Sequence, residues 1–346
     1  MPLVLRIAAF AFLMFGVSAC GETSNVLTAG TPAPATTRAP LTTPAVAGLF
    51  TPQPGSAFFG AFVNTTGLLN GSTPEDVALV EQQLGRQLLL HMTYLAFTES
   101  LSNNKLLDDF VNYRVPIVSW NCQYPDATIA SGQYDLQINL AATQAKNFGG
   151  PMFVSYFWSP NLPTSSMQDL ATSRLGCWSP EAGDLPKQIV SPTQFIAAWQ
   201  HIHSIFDKVG ATNVIWLWIV SSDPNSVAAM PYYPGNQWVD WVGMNSFDSN
   251  GGSFSSTFSN LYSTLAPLNK PIMISQTGAV AAQQQSFFSL AVPTLQSQFP
   301  LVKAFCYYDS VDYIINENAD WRVSAAAFPA FAALANSPYM AGTYAH

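Results

Sequence analysis

From Ala57 onward the chain alternates short apolar runs with segments of helical period, and this alternation constrains the fold more than any other feature. The runs are 58–63 (FFGAFV), 88–97 (LLLHMTYLAF), 115–121 (VPIVSWN), 151–158 (PMFVSYFW), 213–220 (NVIWLWIV), 239–247 (VDWVGMNSF), 271–276 (PIMISQ) and 304–309 (AFCYYD). They are continuous rather than strictly alternating, as parallel strands covered on both faces must be. Helix signals fall between most of them. Ser72-Thr73-Pro74-Glu75 offers a capping hydroxyl and a first-turn proline, and predicts a helix to about Arg86. Gln133 to Phe148 is amphipathic and stops at Gly149-Gly150. Ser191-Pro192-Thr193 opens a helix that carries Ile196, Trp199, Ile202 and Phe206 to Gly210, and further helices are expected at 105–113, 254–267, 286–298 and 324–336. Eight such units predict a single α/β domain, a (β/α)8 TIM barrel over 57–346. An open doubly wound sheet would carry a glycine-rich first turn for a nucleotide, and none is present.

The first residues, MPLVLRIAAFAFLMFGVSAC, join one arginine to an apolar stretch too short to span a bilayer. The ending Val17-Ser18-Ala19-Cys20 resembles a bacterial lipobox. Residues 1–19 are therefore expected to be a lipoprotein signal, with Cys20 the lipidated residue of an exported protein on the outer side of the cytoplasmic membrane. Residues 20–56 are crowded with Thr, Pro and Ala, lack a hydrophobic period, and are expected to form a disordered tether. Only 9% of the chain is charged, its net charge is −8, and it has no run of basic residues, which excludes nucleic acid as a partner. Export permits disulfides. Cys306 sits in an apolar strand, whereas Cys122 and Cys177 fall in loops and are the expected pair. His201 and His203 lie on different faces of a helix, no Cys/His spacing fits a metal, and no cofactor is expected.

Chemistry in such a barrel sits at the C-terminal strand ends. That rule selects Asn64, Glu99, Trp120, Asn121, Trp158, Ser159, Asp223, Phe247, Asp248, Gln276, Asp309 and Ser310. The set is rich in aromatics and amides and poor in charge. Trp120, Trp158, Trp178, Trp218, Phe247 and Tyr308 are candidates for stacking on sugar faces, with Asn121, Asn161, Asp248 and Gln276 for bonding hydroxyls. Each aromatic has an equally weighted alternative role in packing. Together they point to a neutral polysaccharide or oligosaccharide.

Several segments resemble glycoside hydrolase family 26. They include Ile129 to Asp135, Phe195 to Ile202 with Gly210 to Val214, Tyr233-Pro234-Gly235 with Val239 to Met244, Lys270 to Ile274 followed by Thr277-Gly278, and Asp320-Trp321-Arg322. The resemblance implies a β-mannanase-like barrel performing retaining hydrolysis with two carboxyl groups roughly 5–5.5 Å apart. At the implied acid/base position this chain has Ser159, and at the nucleophile position Gln276. Ser155 stands in place of an arginine, Trp158 in place of a histidine, and Phe247 in place of a tyrosine; Asn161 matches. A hydroxymethyl group is too weak an acid and a carboxamide too poor a nucleophile for that chemistry. The expectation is a pseudoenzyme that binds glycan. The alternative is an active β-glycanase with relocated carboxylates at Asp223, Asp248 or Asp309, and a third reading is assembly with an envelope protein.

Overall fold

The fold is described from a computed structural model, which covers residues 50–64, 72–120, 124–162, 191–223, 226–312 and 319–343. Cys20, the leader, most of the tether, Asn121, the Cys122–Cys177 pair and Trp178 lie outside the described residues.

The strands are β1 (Phe58–Asn64), β2 (Leu90–Leu95), β3 (Val115–Trp120), β4 (Met152–Tyr156), β5 (Val214–Ser221), β6 (Trp241–Asn245), β7 (Ile272–Gln276), β8 (Val302–Asp312) and β9 (Ala319–Asp320). The first eight are parallel neighbours in chain order, and β8 returns to pair with β1 over 58–64, which closes the barrel. β9 runs antiparallel to the end of β8. The helices are α1 (Pro74–Leu84), α2 (Asn104–Val111), α3 (Asp126–Ala130), α4 (Asp135–Phe148), α5 (Pro192–Val209), α6 (Phe254–Leu265), α7 (Gln284–Gln298) and α8 (Phe328–Ala335). The predicted (β/α)8 barrel is therefore present. No described helix is long and apolar enough to cross a membrane.

Local chemistry explains the ends. Thr73 caps α1 by accepting from the Asp76 N–H, with Pro74 at the first turn, and Gly85 closes it at φ 67°. Gly210 ends α5 in the same left-handed way at φ 79°. Ser253 and Ser256 form a reciprocal capping box on α6. The expected runs overreach β2 and β6 by two residues at each end, and β4 by one residue at its start and two at its end, because apolar sequence continues into the loops.

Each strand buries two faces. Phe59, Val118, Val154, Trp216, Val242, Ile274 and Phe305 face the helices. Phe58, Met92, Ile117, Phe153, Leu217, Trp241, Met273 and Cys306 fill the barrel. At Gly60 a Cβ would collide with the Leu90 backbone, so this close approach of β1 to β2 requires glycine. The N-terminal end is stoppered by Phe50, which packs against Phe58 at 5.0 Å and Phe153 at 5.4 Å between ring centroids. Phe50 is 1% exposed, so the chain at residue 50 is already packed into the barrel end. A ring of that size adds its burial to the core at roughly 25 cal/mol per Å² of apolar surface.

Between β2, α1 and α2 lies a buried ionic network. Arg114 donates from Nε and Nη2 to the two Glu81 carboxylate oxygens at 2.7 and 2.8 Å, and from Nη1 to Asp108 at 2.7 Å and Asp109 at 3.4 Å. His91 Nδ1 meets Asp109 at 2.8 Å and its Nε2 meets the Ser72 hydroxyl at 2.8 Å. Burial opposes the Arg114 charge, but the surrounding carboxylates reverse that effect and hold its pKa above the ordinary value. Ser72, His91 and Asp109 have the partners of a nucleophilic triad, yet all three are buried, and the arrangement ties β2 to two helices.

Candidate functional site at the barrel mouth

The alternation that places Ile117 and Phe153 inside the barrel also turns Ser119 and Ser155 inward at the C-terminal end. Tyr94 stands beside Ser119 in register, and Ser119 beside Ser155. Across the mouth, Ser221 pairs with Asn245 and Asn245 with Gln276, after a register shift between Met244 and Asn245. The side chains in this layer are uncharged.

Ser159 is 1% exposed and receives a hydrogen bond at 3.1 Å from Asn245 Nδ2. Asn245 Oδ1 accepts from the Ser275 hydroxyl at 2.8 Å. The chain Ser159–Asn245–Ser275 thus joins the tops of β4, β6 and β7. Ser159 holds φ 104° and Phe157 φ 54°, so the turn after β4 carries two left-handed non-glycine residues. Such backbone costs about 1–3 kcal/mol per residue and is kept only where its surroundings enforce it. Here the Phe157 N–H bonds to the Trp120 carbonyl, and the Leu162 N–H to the Ser159 carbonyl. Gln276, 4% exposed, has its Nε2 buried without a partner.

Above this layer runs a row of aromatic rings. Trp158 meets Tyr94 edge-on at 6.2 Å, Tyr94 meets Phe62 at 5.1 Å, Phe62 stacks on Tyr308 at 4.9 Å, and Tyr308 meets Phe247 edge-on at 5.8 Å. Tyr94, Tyr308 and Phe247 are half-buried and present accessible surface; Trp158 is nearly covered. Phe247 leans on Trp321, whose indole lies where a Cβ on Gly278 would fall, so glycine at 278 admits that ring.

Three sequence candidates are reassigned. Trp120 faces the helices, is fully buried, stacks on Phe97 at 4.5 Å and donates its indole N–H to the Phe97 carbonyl. Trp218 also faces outward, fully buried against Tyr233. Neither is placed to stack on a ligand in the mouth, since a two-residue period sends alternate side chains to opposite faces of a strand. Asn161 accepts from the Ser221 N–H and donates to the Ser221 and Val227 carbonyls, so its amide staples the β4 and β5 loops together. Trp158, Phe247 and Tyr308 belong to the aromatic row, and Gln276 ends β7 directly after Ser275. Sequence reasoning missed Phe62, Tyr94, Ser119, Asn245 and Ser275, all of which follow from counting alternate positions along the strands.

The proposed substitute carboxylates are dispersed. Asp309 shares the outward alternation of Phe305 and Tyr307 and accepts the Val323 N–H at 2.8 Å. Burial pushes its pKa up to about 6, against the pull of that hydrogen bond and of Arg322; the acids that raise it further are Asp320 and Asp76. Asp248 is buried, and its Oδ1 accepts the Gly252 N–H at 2.6 Å, shaping the loop after β6. Asp223 is half-buried after β5, where its N–H bonds to the Ser221 hydroxyl. Glu99 accepts the Ala96 N–H within its own loop. Among the described residues no group of three or more His, Cys, Asp or Glu side chains is arranged to hold a metal ion.

Comparison with known proteins agrees with this architecture. The family model described as glycosyl hydrolase family 26 matches residues 187–320, which contain β5 to β8. Endoglucanase H of Acetivibrio thermocellus is 25% identical over 271 residues, covering 73% of this chain and 28% of that protein. A mannan endo-1,4-beta-mannosidase of Bacillus subtilis is 28% identical over 118 residues, covering 34% of this chain and 31% of the relative. The chain thus spans less than a third of the length of these curated relatives. The solved structure of the Bacillus subtilis mannanase BCman superposes with a TM-score of 0.53 at 16% identity, covering 82% of this chain and 87% of that one. The chain is accordingly a (β/α)8 barrel, glycoside hydrolase family 26-like, whose second half matches that family's model.

Proposed function

We propose that this barrel binds a neutral oligosaccharide or polysaccharide without hydrolysing it. The observation that supports the proposal is the pair Ser159 and Gln276: the first accepts a hydrogen bond from Asn245 and the second pairs with Asn245 in the sheet, and neither is a carboxylate. Retaining hydrolysis needs one carboxyl to protonate the leaving oxygen and a second to attack the anomeric carbon. A serine hydroxyl does neither at neutral pH, and a carboxamide keeps the shape of glutamate without its nucleophilicity. Asp309 is turned toward the helices and Asp248 shapes a loop, which weighs against these two as relocated catalytic carboxylates. Half-buried Tyr94, Phe247 and Tyr308 supply the apolar faces on which pyranose rings stack. The names carried by the matched relatives, an endoglucanase and a mannosidase, support a β-linked glycan as the ligand class.

The test uses the purified protein with mannan, glucan and xylan. We expect no release of reducing ends, together with saturable binding of a hexasaccharide by calorimetry that weakens at least tenfold in Tyr308→Ala or Phe247→Ala. Release of reducing ends that disappears in Asp248→Asn or Asp309→Asn would restore the enzyme reading.

We further propose that the protein is exported and held at the outer side of the cytoplasmic membrane through Cys20, a reading supported by the Val17-Ser18-Ala19-Cys20 sequence. Labelled palmitate should enter the wild-type protein in bacterial cells and not the Cys20→Ser variant.

A further inference from the structure

The outer wall of the barrel is unevenly dressed. Of the eight large apolar side chains exposed among the described residues, five stand on α2 and α4: Leu107, Phe110 and Val111 on the first, Leu136 and Leu140 on the second. Spacings of three and four residues gather each set on one side of its helix. Leu136 is 80% exposed, Val111 66% and Leu140 59%. The two helices are neighbours. Phe110 meets Phe148 edge-on at 5.2 Å between ring centroids, and the Leu101 N–H bonds to the Gln144 side chain at 2.9 Å. Charged groups are drawn to the flanks of this face. Asp108 accepts from Arg114 on the side of α1, while Asp135 meets His201 at 2.6 Å and Lys146 donates to the Val209 carbonyl at 3.0 Å, both on the side of α5. Lys105 lies about 160° round its helix from Leu107, near Glu99. The exposed polar groups beside the leucines of α4 are neutral: Gln137, Thr143 and Asn147.

We propose that the α2–α4 face is where a second copy of the chain docks, about a two-fold axis. An isologous contact must complement itself, and a net charge of −8 makes most of the surface repel a copy. A pair of apolar ridges without charge escapes that repulsion. Both helices lead into parallel strands and so run the same way along the barrel. A two-fold axis normal to the face therefore sets them antiparallel to their counterparts, with side-chain ridges lying in the facing grooves. The helices are 8 and 14 residues long. At about 1.5 Å per residue they offer roughly 300–400 Å² of outer face. A standard interface takes about 800 Å² from each partner, which places this contact in the small, reversible class.

Sedimentation velocity of the purified full-length Cys20→Ser protein, which offers no thiol for lipid at that position, tests this. We expect the sedimentation coefficient to climb from the monomer toward the dimer value across the micromolar range. Adding Leu140→Glu should weaken the association about tenfold or more and leave the thermal midpoint of the dilute protein unchanged. Val111→Glu, on the other helix, should do the same. A parent protein that stays monomeric into the high micromolar range overturns the proposal, as does a dimer that both variants leave intact. Flotation of a monomeric parent with phosphatidylcholine vesicles, lost in the Leu140→Glu variant, would give the face to a lipid surface and overturn the dimer.

Discussion

The network around Arg114 and the mouth of the barrel are both buried and both polar, yet they handle polarity in opposite ways. Around Arg114, four acidic or basic partners are concentrated in one quarter of the fold, each oriented by two or more hydrogen bonds. At the mouth the side chains are hydroxyls, amides and aromatic rings, and several hydroxyls have no partner. A chain with only 9% charged residues gathers a buried ionic cluster around Arg114, whereas the inward-facing residues Ser119, Ser155, Ser221 and Asn245 at the strand ends are neutral. Buried ion pairs fix geometry but tolerate no loss of a partner. An unsatisfied buried hydroxyl costs about 1–3 kcal/mol, less than a stranded buried charge. The first region braces the scaffold with charge, and the second is built from neutral groups and rings.

This contrast is breakable by experiment. The largest effect is expected at Arg114: Arg114→Ala would strand Glu81 and Asp109 in the interior, and denaturant unfolding should show a loss of about 3–5 kcal/mol. A loss under 1 kcal/mol would mean that the network is not the scaffold's anchor. Next comes Asp309, whose carboxyl is pushed up to about 6 by burial. Because the folded state holds this proton more tightly than the unfolded chain, its cost is absent below about pH 4 and complete above about pH 6. Stability should therefore fall as pH rises through that window, by on the order of 2–3 kcal/mol from this group. Asp309→Asn should flatten the window and stabilise the protein at pH 7; an unchanged profile would show that Asp309 ionises freely.

A smaller gain is expected from Ser159→Gly. Glycine adopts φ 104° without the Cβ clash, and thermal unfolding should register about 1 kcal/mol of stabilisation, reduced by loss of the acceptor for Asn245. If that variant is instead destabilised, the Ser159–Asn245 bond outweighs the backbone strain. The smallest shift belongs to Ser119→Ala and Ser155→Ala singly, each within about 1 kcal/mol of wild type and in the stabilising direction, since an unpartnered buried hydroxyl is removed. Destabilisation beyond 1 kcal/mol would show that these hydroxyls are already satisfied inside the protein, and the two regions would differ less than they do here.

Much of the fold was readable from residues 57 onward because strands buried on both faces must be continuously apolar, and eight such runs with helical spacers leave few architectures. The same continuity hid the site. In a run such as NVIWLWIV every position is buried, so composition alone does not say that Trp216 and Trp218 face helices while Leu217 and Ile219 face the lumen. Trp120 was misread for this reason. The corrective signal was present in the small polar residues that alternate with apolar ones near strand ends, Ser119 and Ser155 among them, which fix the inward phase. Asn161 failed differently: a loop amide is equally suited to a ligand or to a neighbouring backbone, and only the positions of Ser221 and Val227 decide between them. Phe50 escaped notice because a lone aromatic in a Pro/Thr-rich stretch has no period.

That single ring has a topological consequence. By corking the barrel beside the first residues of β1 and β4, Phe50 makes the polypeptide arrive at the pole opposite the aromatic row. A load applied to the chain at residue 50 therefore bears on the stopper and on the first residues of β1, at the far pole from the aromatic row.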